Sequence, residues 1–253
     1  MTRTSAPSGF LALLFLALLV LPERARAQDL VADLSEHLVA ITAGFTGTDV
    51  LLFGAIEGPG DVVVVVTGPA HDVIVRRKDK LLGIWLNAKS IRFSGAPSYY
   101  AVASSRPPGT FLSDAILGRL EVGANNLRLI PAEGQKATAE ETATFRAALI
   151  RRKQARGLYQ DSIGDVNFIG RTLFRTRLYL PANVPTGAYI VTAYLIRDND
   201  VVSAQTTPLL ISKIGIGADA YEFAYDHSAA YGVIAVIIAV MAGWLASVIF
   251  RKS

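Results

Sequence analysis

Residues 61–67 read Asp-Val-Val-Val-Val-Val-Thr. Five consecutive β-branched side chains favour extended backbone, and along a strand they point alternately to opposite faces. Neither face of this strand is polar, so it is expected at the centre of a sheet covered on both sides. Working outward, His37–Thr42 (HLVAIT) and Thr48–Ile56 (TDVLLFGAI) precede it as short strands, set off by Gly44, Gly47, Gly58-Pro59-Gly60 and Gly68-Pro69. His71–Arg77 reads as a further strand ending in the basic run Arg76-Arg77-Lys78-Asp79-Lys80. Ile84–Leu86, Ile91–Phe93 and Ser98–Ser104 follow as separate strands.

The period then changes. Phe111–Leu120 reads as a short helix, and Thr138-Ala139-Glu140-Glu141 as a capping box opening a longer helix to about Arg156, with Gly157 past its end. Phe145, Ala148 and Leu149 share one face of that helix with Arg152 and Arg156. After Gly157 strands resume. Arg171–Leu180 alternates, with Phe174, Thr176, Leu178 and Leu180 on one side and Arg171, Arg175, Arg177 and Tyr179 on the other. Pro181–Gly187 turns the chain, Ala188–Ile196 is apolar on both faces, and Asp198-Asn199 closes a hairpin to Val201–Ile211. An outward-polar strand, a Pro-x-x-Val-Pro-x-Gly-x-Tyr corner, a buried strand and a closing hairpin resemble the last three strands of an immunoglobulin-like sandwich. The expected fold is mainly β: one such sandwich over residues 28–214, with a helical insertion near 110–160.

Both ends are apolar. Ser228–Phe250 (SAAYGVIAVIIAVMAGWLASVIF) carries no charge and is followed by Arg251-Lys252. That length spans a bilayer as a helix, and the basic pair marks its cytoplasmic side. At the front, Arg3, the apolar Phe10–Leu21 and Ala25-Arg26-Ala27 read as a signal peptide over residues 1–27. Residues 215–227 then form a juxtamembrane connector, with Tyr221, Phe223 and Tyr225 at the interface, and 251–253 a cytoplasmic tail. This topology places the domain in the periplasm on a single-pass inner-membrane helix.

The chain carries a net charge of +4, but the basic excess lies in the leader and the tail; Gln28–Phe250 holds 20 basic and 20 acidic residues. A neutral exported part removes nucleic acid as a partner. The absence of cysteine excludes thiol chemistry and lipoprotein processing, and about 200 residues bury a core without disulfide staples.

The leader, Arg76-Arg77-Lys78 with Gly83-Ile84-Trp85 and Asn87, Tyr100-Ala101-Val102-Ala103-Ser104, and Tyr231 with Ala242–Ser247 resemble an alphaproteobacterial family of transmembrane proteins. The resemblance covers essentially the whole chain, and its motifs carry no defined chemistry. It implies a bacterial periplasmic domain on one inner-membrane helix. Proximity of such proteins to sulfite-exporter-type permeases implies a transporter-accessory role.

No catalytic, cofactor or metal constellation emerges. The three histidines, His37, His71 and His227, fall in no triad or H-x-x-x-H pattern, and no serine sits in G-x-S-x-G. Gly215-Ile216-Gly217 lacks the third glycine of a dinucleotide loop. The expectation is a protein without enzymatic activity or cofactor.

Three surfaces remain as candidates for binding an anion or a partner. Arg76, Arg77, Lys78 and Lys80 lie beside Trp85 and Asn87, where an arginine pair would offer forked donors to an oxyanion. Arg175 and Arg177, with Arg171 and Tyr179, form a single-sign row on a sheet. Arg151-Arg152-Lys153-Arg156 ends the long helix, where positive charge complements the helix dipole. In the anchor, Ala235, Ala239, Gly243 and Ser247 recur every four residues, a stripe that lets two helix backbones approach. The sequence therefore suggests an interaction or accessory module that contacts an inner-membrane protein, or itself, through the helix, with the lipid bilayer around it. A periplasmic binding or sensing domain for a small oxyanion is the alternative.

Overall fold

The computed structural model describes residues 29–81, 83–135, 137–214 and 223–250. The signal peptide expected over 1–27 and the tail 251–253 lie outside them, as do residues 215–222.

Among the described residues the chain is mainly β. Strands β1 (Leu30–Leu34), β2 (Leu38–Ile41), β3 (Gly47–Ile56) and β4 (Asp61–Thr67) lead into a long hairpin, β5 (Ala70–Leu81) and β6 (Ile84–Pro97), and then β7 (Tyr100–Ser104). Helix α1 (Asp114–Arg119), the short strand β8 (Ile130–Pro131) and helix α2 (Ala139–Gln154) follow. The chain returns through β9 (Gly164–Asp165), β10 (Asn167–Ile169), β11 (Leu173–Pro181), β12 (Gly187–Arg197) and β13 (Asp200–Lys213), and ends in helix α3 (Ser228–Phe250).

These strands form three sheets, in the orders β1-β3-β11-β10, β2-β13-β12-β4-β7-β9 and β5-β6-β8. The first two face each other across a core of Leu30, Val50, Leu52, Phe174, Leu178 and Leu180 from one and Val62, Val64, Val66, Tyr189, Val191 and Leu195 from the other. The first order is that of strands A, B, E and D in an immunoglobulin-like sandwich, and β13-β12-β4 follows that of G, F and C. β2 runs parallel to β13 along the edge of the second sheet.

The valine run sits where its two apolar faces require. Val62, Val64 and Val66 enter the core between the sheets. Val63 and Val65 enter a second core with Ile91 and Phe93 of the hairpin, Phe145, Leu149 and Ile150 of α2, and Leu127 and Tyr159. The 110–160 region and the root of the hairpin thus cover the outer face of the six-stranded sheet. Each buried valine contributes about 1.5–3 kcal/mol relative to exposure, and no strand neighbouring β4 could supply that cover alone.

Local chemistry fixes the joints. Thr138 Oγ1 accepts from the Glu141 N–H at 3.2 Å, while Glu141 Oε2 accepts from the Thr138 N–H at 3.0 Å, a reciprocal cap on α2. The buried stripe of α2 is Phe145, Leu149 and Ile150 and continues through half-buried Lys153, whereas Arg152 is exposed. Asp198 and Asn199 both have positive φ (49° and 61°), as a tight two-residue turn between antiparallel strands requires. Tyr189, fully buried at the start of β12, donates its O–H to the Pro185 carbonyl at 2.6 Å. That is the tyrosine corner of sandwich folds, and it pins the Pro181–Gly187 turn to the core.

Two expectations are corrected. Residues 71–93 do not form three short strands: β5 and β6 pair from Ala70↔Pro97 to Leu81↔Ile84, so the basic run lies inside a strand. The first helix is shorter than 111–120, because a 3₁₀ turn over Pro108–Thr110 precedes it. Within the expected connector, residues 223–226 are helical, and the His227 N–H donates to the Phe223 carbonyl.

Candidate functional site

Pairing along the arm decides what its charged residues can do. Residues opposite each other on antiparallel strands share a face. Lys78 lies opposite Asn87 and Lys80 opposite Trp85, and Arg76, two residues before Lys78, shares their side of the arm. Arg77 lies opposite Lys89, on the other side. Arg77 is also held by Asp79 at 3.3 Å, and Lys89 pairs with Glu141 at the start of α2. The forked arginine pair expected of Arg76 and Arg77 is therefore divided by the strand period. Lys78, Asn87, Lys80 and Trp85 do come together, around a two-residue connection ending in Gly83 (φ 87°).

On the four-stranded sheet, β11 keeps the expected alternation: Phe174, Thr176 and Leu178 point inward, and Arg175, Arg177 and Tyr179 outward. Register then brings unexpected neighbours to the two arginines. Val31 pairs with Ala55, Ala55 with Leu173 and Leu173 with Ile169, making one row across the sheet. In the next row Phe53 lies between Asp33 and Arg175, and then Leu51 lies beside Arg177. Val31, Phe53, Leu173 and Ile169 are each roughly half exposed. An uncovered sheet face is ordinarily polar, whereas this one carries an apolar row at one end, continued by Phe53, with Asp33, Arg175 and Arg177 beside it. Sequence alternation could not reveal it, because its members come from four strands that only the register assembles.

A cleft of about 500 Å³ lies at the β12–β13 turn, lined by Asp61, Arg106, Phe111, Ser113 and Asn199 among others. Arg106 grips Asp61 with Nε at 2.8 Å and Nη2 at 2.5 Å, and its guanidinium lies 4.8 Å from the Phe111 ring centre. The Asp61 carboxylate compensates the charge of this cation, so the pair ties this corner together. Nothing in the sequence singled out Arg106, since its partner is 45 residues away. At the end of α2, burial lowers the Lys153 pKa, with neighbouring Arg156 adding to the effect. Its Nζ donates to the Ser98 carbonyl at 3.2 Å and lies over Tyr159. The cationic end of α2 is thus partly a structural tie.

Helix α3 has 23 residues of mean hydropathy 2.7 in its most apolar window and none buried by the rest of the protein. At 1.5 Å per residue it covers about 34 Å, enough for a hydrocarbon core of about 30 Å. Ala235, Ala239, Gly243 and Ser247 all lie within it.

Among the described residues, a β domain is joined to one helix long and apolar enough to span a membrane, which defines a membrane-anchored protein. The chain belongs to the family described as "Putative transmembrane protein (Alph_Pro_TM)", whose profile matches residues 29–252. No curated protein matches it.

Proposed function

We propose that the protein is a non-enzymatic interaction module: an immunoglobulin-like periplasmic domain, held by α3 in the inner membrane, that serves as accessory to an inner-membrane transporter, with a sulfite-exporter-type permease as the class to try first. The observation that carries this reading is the apolar face of Val31, Phe53, Leu173 and Ile169 beside Arg175 and Arg177. An exposed apolar cluster with arginine beside it is the composition of a protein-binding surface. The tether selects the occupant, because a protein confined to the same bilayer meets this face at high effective concentration. The small-residue stripe of α3 offers that neighbour a second contact within the membrane. Oxyanion binding is not proposed, since Arg76 and Arg77 lie on opposite sides of the arm.

The test is co-purification of an integral membrane protein with the full chain from mild detergent. Phe53→Glu or Arg175→Glu should reduce recovery at least tenfold while the protein still reaches the membrane, and Ala239→Leu with Gly243→Leu should do the same. Unchanged recovery in the sheet-face variants would overturn the proposal.

A further inference from the structure

The tip of the β5–β6 arm exposes Ile84, Trp85 and Leu86 to 64, 64 and 48 %. Hairpin ends are ordinarily built from Gly, Asn, Asp and other polar residues, whereas these three apolar side chains are about half or more exposed. Immediately behind them stand Arg76, Lys78 and Lys80, which have no ion-pair partner among the described residues, together with the paired Arg77–Asp79 and Lys89–Glu141. The arm thus ends in an apolar cap with a cationic collar, and pairing sets Lys80 directly opposite the Trp85 indole.

We propose that this tip inserts into the headgroup region of the bilayer that holds α3, and that it selects anionic lipid. Indole rings settle at the membrane–water interface. Long basic side chains keep their charge among headgroups while their stems cover apolar surface, and each gains appreciably from an anionic surface. The apolar cap is about two hairpin rungs deep, or roughly 7 Å, which matches the burial depth of interfacial apolar segments. Chain geometry permits the contact. Thr67 pairs with Ile190, and Gly187 with Ile211, so the arm is rooted at the end of the sandwich from which the chain leaves for the membrane. Residues 214 to 223 span at most about 30 Å, which bounds how far that end of the sandwich stands off the bilayer, and the arm is about 40 Å long from Ala70 to Leu81. Two attachments, helix and tip, then fix the tilt of the sandwich. This inference stands without the transporter-accessory reading.

Trp85 and Trp244 are the two tryptophans of the chain, so Trp244→Phe in the full-length protein leaves Trp85 as the only indole. This variant is reconstituted in nanodiscs of phosphatidylcholine, with or without phosphatidylglycerol. With anionic lipid, Trp85 emission should move to shorter wavelength, acrylamide quenching should fall severalfold, and lipids brominated near the headgroup should quench. Reversing Arg76, Lys78 and Lys80 to Glu should return the emission to that of a solvated indole, each charge removed weakening insertion about fivefold. Water-like emission in anionic nanodiscs would overturn the proposal. So would shielding without bromine quenching, which would place the tip against protein, or equal insertion in both lipids, which would remove the selection by charge.

Discussion

Replacing Tyr189 by Phe isolates one atom. The ring is fully buried at the start of β12 and packs on Tyr99 with ring centres 5.9 Å apart, contacts that phenylalanine keeps. What is lost is the O–H donated at 2.6 Å to the Pro185 carbonyl. A net hydrogen bond contributes about 1 kcal/mol, and the half-buried Pro185 carbonyl, left without its donor, adds part of the about 1–3 kcal/mol that a fully buried acceptor would cost. The expected destabilisation is therefore about 1.5–3 kcal/mol. For a domain of this size that lowers Tm by about 4–10 °C. The assay is denaturation of the full chain in mild detergent, followed by the far-UV β signal. Tyr179→Phe is the control: this residue is half exposed on the outer face, so its replacement should change stability by no more than about 0.5 kcal/mol. Equal, small effects for the two variants would refute the claim that the corner pins the turn to the core.

Three further outcomes follow from the same geometry. A Cβ on Gly54 would lie 2.3 Å from the Val31 carbonyl oxygen and 2.6 Å from the Phe174 ring, so Gly54→Ala should destabilise by about 1–3 kcal/mol in the same denaturation assay; a neutral result would contradict the packing of β1 on β3. The hydrogen bond from Lys89, then that from the Thr138 N–H, holds the Glu141 pKa below its usual range. Its contribution is present above the unfolded carboxylate value and is lost as pH falls through the folded value, so Lys89→Met should flatten the acid limb of stability against pH; an unchanged limb would exclude the pair. Burial raises the pKa of Tyr99, Tyr100 and Tyr159 and pushes Tyr189 up to about 12. Stability from these phenols is full below the unfolded value of about 10 and is lost as pH rises through the folded values. The tyrosinate absorbance of these four, out of the nine tyrosines of the chain, should therefore appear only together with loss of β signal, and ionisation of all nine in still-folded protein would contradict the burial.

Much of the architecture was legible because its signals are local. Five valines without a polar face need cover on both sides wherever they sit, and the capping box at Thr138 and the Asp198-Asn199 turn depend on neighbours within a few residues. The alternation of β11 was equally plain, since Phe174 and Leu178 had to face a core. The arm was obscured because Arg76–Lys80 project past any core, so no apolar alternation marks that half of β5, and Leu82-Gly83 lacks the Asn-Gly or Asp-Gly signature of a tight hairpin. Once the strand is seen to continue to Leu81, its period of two separates Arg76 from Arg77 and undoes the forked-donor reading. The apolar sheet face was out of reach for another reason: Val31, Phe53, Ile169 and Leu173 are remote in sequence, and the pairing of four strands alone places them together.

That face tests the account most directly. A photoreactive amino acid placed at Phe53 in the full chain, irradiated in native membranes, should give an adduct with an integral membrane protein, and Arg175→Glu should abolish it. Adducts only with a second copy of the chain, or none at Phe53 while exposed positions elsewhere on the domain react, would contradict it.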